Sequence, residues 1–479
     1  MNLFIRFVLS IFLVSLLQAA PVENENKISD TVVRIFTSAR VPSHSMPWQA
    51  KLQRYSGSGV LIGNRRILTN AHVVSYATYI EVQRRGERRR YRAKVVGMNH
   101  ALDLALLQVE DPDFLRGIQP LELGSLPEPG TRIGVYGYPE GGETLSVSRG
   151  VVSRIESLEY AHSQQHFLQI QMDAAVGPGS SGGPALSDGK IVGVEMQSQH
   201  KGARRGYLVP PPLIRQFLTD LEDGKVDGVP HPGFLTQPME NPALRAQSGM
   251  PGDLHGVRVY KVLPGRSAEG IVKEGDLLLS VEGHPVGDDG RVTLRPGLTV
   301  EYAHLIHLHQ IGDSISLALW RDGKRLEVSL PLKETGDRLY RVPTPQFRPH
   351  PRYFLLGGYL FVPLTRELVF GEQRYNLAYC PDLPAYATAR MRERVILLRL
   401  LEDESNRGYG ALELWPIETL DGKPFAEFET FVSRIKESNA SYIVLKDPEG
   451  KELVIDRKEA LRRQKAIMER YGIGKAEVR

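Results

Sequence analysis

The sequence predicts a mostly β chain of several domains, on three observations. From Asp30 to about Glu222 the text consists of short β-rich runs split by Gly, Pro and charged turns, the pattern of barrels rather than of alternating helix and strand. Two stretches rich in Gly or Pro, Asp223 to Pro232 and Pro343 to Pro351, interrupt that text and mark boundaries. A chain of 479 residues is also long enough for two or three domains that each bury a core.

Composition narrows the class. A formal net charge of +4 is small for this length and argues against a dedicated nucleic-acid binder. The basic stretch Arg84 to Arg92 contains Glu87 and no row of aromatics, so a solvated hairpin explains it better than a nucleic-acid patch. Cys380 is the single cysteine, so no intrachain disulfide forms and the fold relies on packing. Met1 to Arg6 carries one positive charge, Phe7 to Leu17 is apolar apart from Ser10 and Ser15, and Gln18-Ala19-Ala20 ends in small residues before the polar Pro21 to Asn26. Residues 1–20 therefore read as a secretory signal, giving an exported protein, periplasmic if bacterial, with no stable membrane insertion after signal removal. The other reading is an uncleaved anchor, for which the apolar run is short.

Within the barrel text, Gly59-Val60-Leu61-Ile62 reads as a buried strand leading into a second short one at Arg66-Ile67-Leu68. Thr69-Asn70-Ala71-His72-Val73-Val74 follows, with His72 where strand gives way to a turn or short helix. Asp103 opens the apolar strand Leu104 to Val109, where a carboxylate can be held in a fixed, largely desolvated position. The turn Gly177-Pro178-Gly179-Ser180-Ser181-Gly182-Gly183-Pro184 is so poor in side chains that two serines are its main chemistry. Its glycines allow a tight bend that exposes a hydroxyl and aims backbone N–H groups into one concavity. Taken singly these are ordinary features: a loop, a satisfied histidine, a turn aspartate. A serine hydroxyl needs a base and the base needs an orienting carboxylate, and Ser181, His72 and Asp103 together supply all three.

These residues resemble the HtrA/Deg family of chymotrypsin-like serine proteases, whose motifs are a T-N-A-H-V run, a D-x-A-L-L run and a G-N-S-G-G-P turn. Pro47-Trp48-Gln49, Gly150 to Ile155 and Glu240 to Arg245 are similar to the plant-type Deg branch in particular. One departure is Ser180, which stands where the family usually has Asn. The resemblance implies a two-barrel chymotrypsin-like protease domain over residues 27–225, a PDZ domain over 230–335 and a second, divergent PDZ-like domain over 350–475. His72 and Asp103 would belong to the first barrel and Ser181 to the second. The motif's register makes the backbone N–H groups of Gly179 and Ser181 the oxyanion hole. Ala175 and Val176 would line the substrate pocket, with Val194 and Met196 on its opposite wall; Glu195 would then turn away. Gly233-Phe234-Leu235 matches the PDZ peptide-binding loop, although it lacks the usual second glycine. The implied protein is an exported serine endopeptidase that degrades unfolded or misfolded polypeptides, needs no metal or other cofactor, and forms trimers or multiples of trimers. The rival reading is a non-catalytic chaperone or scaffold that grips exposed chain ends through its PDZ units; the presence of all three triad residues speaks against it.

Further elements follow in order. Apolar residues at helical spacing over Pro211 to Leu221 predict a helix closing the protease domain. Asn241-Pro242 predicts a capped helix start, Gly256 to Val262 a strand, and Asp322-Gly323 a hairpin whose strands finish near Leu332. His304, His307 and His309 lack a convincing ligand spacing and are expected to be groove or surface histidines rather than a metal site. Beyond Pro351, strands are expected at Tyr353 to Phe361 and Val395 to Leu400, a helix over Phe425 to Ile435, a hairpin of Tyr442 to Leu445 with Leu453 to Ile455, and a last helix over Asp456 to Tyr471.

Overall fold

The computed structural model describes residues 21–63, 65–199, 205–371, 381–410 and 412–479, so the expected signal at 1–20 lies outside the described residues. The chain divides into two compact units: Met1–Ala39 with Arg54–Leu158 and Leu168–Val226, and Arg40–Gln53 with Glu159–Phe167 and Asp227–Arg479.

The first unit is built on two closed antiparallel barrels of six strands each. Barrel one contains β1 (Val32–Pro42), β2 (Ala50–Gly63), β3 (Arg66–Thr69), β4 (Ala77–Gln83), β5 (Arg90–Asn99) and β6 (Leu104–Val109), in the order β1-β2-β3-β6-β5-β4. Barrel two contains β7 (Arg132–Gly137), β8 (Ser146–Glu159), β9 (His166–Met172), β10 (Pro184–Ser187), β11 (Lys190–Gln199) and β12 (Arg205–Val209), in the order β10-β11-β12-β9-β8-β7. Closure leaves no sheet edge, which is how a chain of many short strands satisfies its backbone. Leu61, Ile67 and Leu107, from runs predicted as strands, share one core with Val33, Ile35 and Val82. The basic stretch forms the β4–β5 connection. Helix α1 (Pro21–Thr31) was not foreseen, because its residues are mostly polar; it is anchored where Ile28 and Thr31 are buried at its end. α2 (Ala71–Val74) follows β3, and α3 (Pro211–Asp220) is the expected closing helix, burying Leu213, Ile214 and Phe217.

The second unit holds a sheet whose main path runs Phe234–Gln237, Val257–Val262, Leu277–Val281, Ser314–Arg321, Lys324–Pro331. Asn241 caps the helix Pro242–Gln247 by accepting the N–H groups of Ala243 and Leu244. His304 corrects the expectation of a groove or surface histidine. It is only 2% exposed on the helix Ala303–His307, and burial pushes it down to about 4. The rest of the unit has a five-stranded and a three-stranded sheet around Phe361, Phe428, Phe431, Val432, Ile443 and Leu445. Its helix runs Phe428–Glu437, three residues later than Phe425, which fills the core instead. The final helix, Arg457–Tyr471, is capped by Asp456 and buries Ala460 and Ile467.

Candidate active site

Barrel pairing brings His72 to Asp103. Thr69, the last residue of β3, pairs with Ala105 of β6, so the residues after β3 and those before β6 emerge at the same end. His72 Nδ1 lies 2.7 Å from Asp103 Oδ2, and the His72 backbone N–H donates to Oδ1 at 2.9 Å. Asn70 Nδ2 donates to the Asp103 carbonyl at 2.9 Å. Asp103 is fully buried and adopts φ 56°, a left-handed conformation that aspartate tolerates better than most residues. The strain is offset by two N–H donors that converge on its carboxylate. Burial pulls the His72 imidazole down, but the Asp103 charge and hydrogen bond outweigh it and hold it above the ordinary histidine value.

The turn Gly177 to Pro184 is fixed through its carbonyls. Pro178 O accepts from Glu140 N–H at 2.5 Å, Ser180 O from Gly183 N–H at 2.9 Å and Ser181 O from Ser58 N–H at 2.9 Å. Gly179 O accepts from the Ser58 hydroxyl at 2.8 Å. With those four oxygens engaged, the N–H groups of Gly179 and Ser181 find no acceptor among the described residues. Gly182 must be glycine twice over: its φ is 85°, and an added Cβ would fall 2.2 Å from Ser58 O and from Thr69 Oγ1. The two neighbouring serines are also distinguished, since Ser180 is buried while Ser181 is partly exposed.

Ser58 is a residue that sequence reasoning missed. Its hydroxyl donates to Gly179 O and accepts from Tyr138 N–H at 2.8 Å, while its carbonyl accepts from Thr69 Oγ1 at 2.7 Å. The available signal was a serine between two glycines, Gly57 and Gly59, immediately before the apolar run Val60-Leu61-Ile62.

Of the expected pocket residues, Ala175 is exposed, Val176 half-buried, and Val194 and Met196 fully buried on β11. Val176 lies close over Gly206 of β12, beside Met172. Between Val194 and Met196, Glu195 is also buried, and its carboxyl group meets the Ser181 side chain.

The family model of the trypsin-like peptidase domain matches residues 57–194, and that of the PDZ domain matches 342–478. Protease Do-like 2, chloroplastic, of Arabidopsis thaliana is 36% identical over 452 residues, which is 93% of this chain and 74% of that protein. The chain belongs to the HtrA/Deg family. This HtrA/Deg protein is a serine endopeptidase with a chymotrypsin-like two-barrel fold. Protease Do-like 4, mitochondrial, of the same plant is 33% identical over 386 residues, covering 79% of this chain and 71% of the relative. Among solved structures, the HtrA-type protease AlgW with decapeptide superposes with a TM-score of 0.50 at 24% identity, over 65% of this protease and 97% of that chain. The same protein with tripeptide gives 0.51 at 22% identity, over 65% and 95%. Both plant relatives are named for organelles, which lends the periplasmic expectation no support. Among the described residues no helix is long and apolar enough to cross a membrane.

In the second unit of the protease, the expected peptide-binding loop is placed as follows. Gly233 has φ 79°, its N–H donates to His231 Nδ1 at 3.0 Å, and its carbonyl accepts from Leu263 N–H at 2.9 Å. Burial pushes His231 down to about 4, so its ring stays a neutral acceptor. Phe234 is buried opposite Val262, and Leu235 is half-buried opposite Lys261. Their strand, Phe234–Gln237, is the edge of the sheet path, the position at which an extended peptide can add as a further strand.

Proposed function

We propose that this protease cleaves unfolded or damaged polypeptides with His72, Asp103 and Ser181 as its triad. As the Ser181 hydroxyl attacks the scissile carbonyl, His72 takes its proton and later passes it to the leaving amine. Asp103 keeps the imidazole in the tautomer that presents an unprotonated nitrogen to the serine, and stabilises the imidazolium that forms. The oxyanion is received by the N–H groups of Gly179 and Ser181. The observation that carries this reading is the double acceptance by Asp103 of the His72 ring and backbone N–H groups, beside a turn whose two relevant N–H groups are uncommitted. No step calls for a metal or nucleotide.

The barrels at 27–225 act as the protease domain, 230–335 as a PDZ domain that receives chain segments, and 350–475 as a second, divergent PDZ-like domain. The protein is exported on residues 1–20 and assembles as trimers or multiples of them, which sedimentation of the mature protein measures. The deciding experiment is labelling with a fluorophosphonate together with casein hydrolysis. Ser181→Ala should abolish both, and Ser180→Ala should leave substantial activity. Loss of turnover in the Ser180 variant alone would overturn the assignment.

A further inference from the structure

The mechanism above uses one carboxylate, yet a second lies in the same site. Strand β11 places it. The Glu195 N–H donates to Gly183 O at 2.9 Å and its carbonyl accepts from Gly182 N–H at 2.9 Å, which fixes this residue directly behind the nucleophile turn. Its partner across the sheet in β12 is Leu208, and its flanking residues Val194 and Met196 are buried. Glu195 itself is 2% exposed. Its carboxyl group meets the Ser181 side chain, and the charged groups that face it are His72 on α2 and Asp103 ahead of β6. Oε2 has no hydrogen-bond partner among the described residues.

Two carboxylates in one desolvated site repel, so both are not ionised cheaply, and the one without donors retains the proton. Asp103 holds the two N–H donors of His72 and is the anion. Glu195 has no comparable donors. Its burial, aided by the Asp103 charge and opposed by His72 and Ser181, pushes it up to about 8.

Resting on the triad assigned above, we propose that Glu195 is a positioning residue of the catalytic centre: a neutral carboxylic acid that holds the Ser181 hydroxyl, and whose ionisation switches the protease off in alkaline solution. While it is neutral, the imidazole has one counter-charge and can be unprotonated at working pH. Once ionised, a second negative charge beside the ring stabilises the imidazolium, so His72 cannot accept the serine proton. The same charge opposes the oxyanion forming at the substrate carbonyl. Both effects lower turnover.

The test compares kcat/KM of the full-length protein on a peptide substrate from pH 6 to 9.5 with that of Glu195→Gln, which keeps the shape and cannot ionise. The readout is the ratio of rates at pH 9 and pH 7 within each protein. For a group titrating near 8, the wild-type rate should fall about tenfold over that interval, the apparent value belonging to the coupled site. The Glu195→Gln rate should change less than about twofold, and Glu195→Ala should likewise lose the alkaline fall. A flat wild-type profile, or an equal fall in a folded variant, overturns the proposal. Carbon-13 labelling of glutamate carboxyls in the wild-type protein decides it without any variant: a carboxyl titrating near pH 8 supports it, and its absence refutes it. Failure of the triad reading is distinguishable, because the fluorophosphonate would then not label Ser181 at any pH, and this inference would fall with it. Normal labelling with an unaltered alkaline limb in Glu195→Gln defeats this inference alone.

Discussion

Ser58→Ala removes a single oxygen from the wall behind the nucleophile turn, and the structure gives the size of the effect. The hydroxyl is fully buried, donates to Gly179 O and accepts from Tyr138 N–H, both at 2.8 Å. Alanine keeps the Ser58 N–H bond to Ser181 O but leaves the carbonyl and the N–H group of those two neighbours without a partner. Leaving a buried polar group unpaired costs about 1–3 kcal/mol, so the pair, after partial relaxation, should cost roughly 2–4 kcal/mol of stability. For a domain of this size that corresponds to a fall in Tm of roughly 4–16 °C. The peptide between Gly179 and Ser180 also loses its anchor, and with it the fixed aim of the neighbouring N–H groups. The donors remain present, so the loss in kcat should be about tenfold, below the 10²–10³-fold typical when an oxyanion donor is deleted. KM should barely move, since no pocket residue is touched. Differential scanning fluorimetry and peptide hydrolysis read both arms. A variant with wild-type Tm and kcat would refute the argument; a lowered Tm with unchanged kcat would reduce Ser58 to a strut and leave Gly179 held by Pro178 alone.

Three further outcomes are expected. Asp103→Asn keeps the volume but presents an amide that cannot accept both His72 N–H groups; kcat should fall about 10³–10⁴-fold with the fold intact, as read by single-turnover kinetics and circular dichroism. In the second unit, Arg394 is 4% exposed and is gripped by Asp382 at 2.7 and 3.1 Å. Asp382→Ala should destabilise that unit by about 3 kcal/mol, because a buried guanidinium keeps only Glu418 and the Ile417 carbonyl as partners, both on one nitrogen, and calorimetry of the full chain should show it. On specificity, Ala175, Val176, Val194 and Met196 offer no carboxylate, and Glu195 is engaged with Ser181, so an arginine would lose several kcal/mol of hydration where an aliphatic side chain gains about 1.5–3 kcal/mol. Mass-spectrometric mapping should find cuts after Val, Ile, Ala or Leu; dominant cleavage after Lys or Arg would sink that pocket.

What was legible in the sequence is what short stretches encode by themselves. The strand at Leu104 to Val109, the turn at Gly177 to Pro184 and the cap at Asn241 each carry their own signal in composition and spacing, and each forms where expected. Ser58 was illegible because its hydroxyl acts on Gly179, 121 residues away, and nothing local hints at that contact. His304 was misjudged for a related reason: polarity suggests exposure, but the short helix Ala303–His307 is buried around most of its girth, at His304, Leu305 and Ile306 alike, and the ring is enclosed with them. Helix α1 escaped notice because few of its residues are apolar, and its position rests on Ile28 and Thr31 near its end.

Glu195 shows why a site cannot be finished from its motif. Simple alternation along β11 would turn it away from Val194 and Met196, but the pairing register shifts between Glu195 and Gln197, and all three residues are buried. Which of them joins the chemistry depends on closure of the second barrel, which brings Gly182 and Gly183 alongside the strand through two backbone hydrogen bonds. Once it stands there, residue type no longer decides charge. Asp103 and Glu195 are both carboxylates, both buried and both beside His72, yet one receives two N–H donors and the other has an oxygen with no partner among the described residues. Donor count therefore divides the labour: the aspartate keeps the negative charge that the imidazole needs, and the glutamate can share the site only while it keeps its proton.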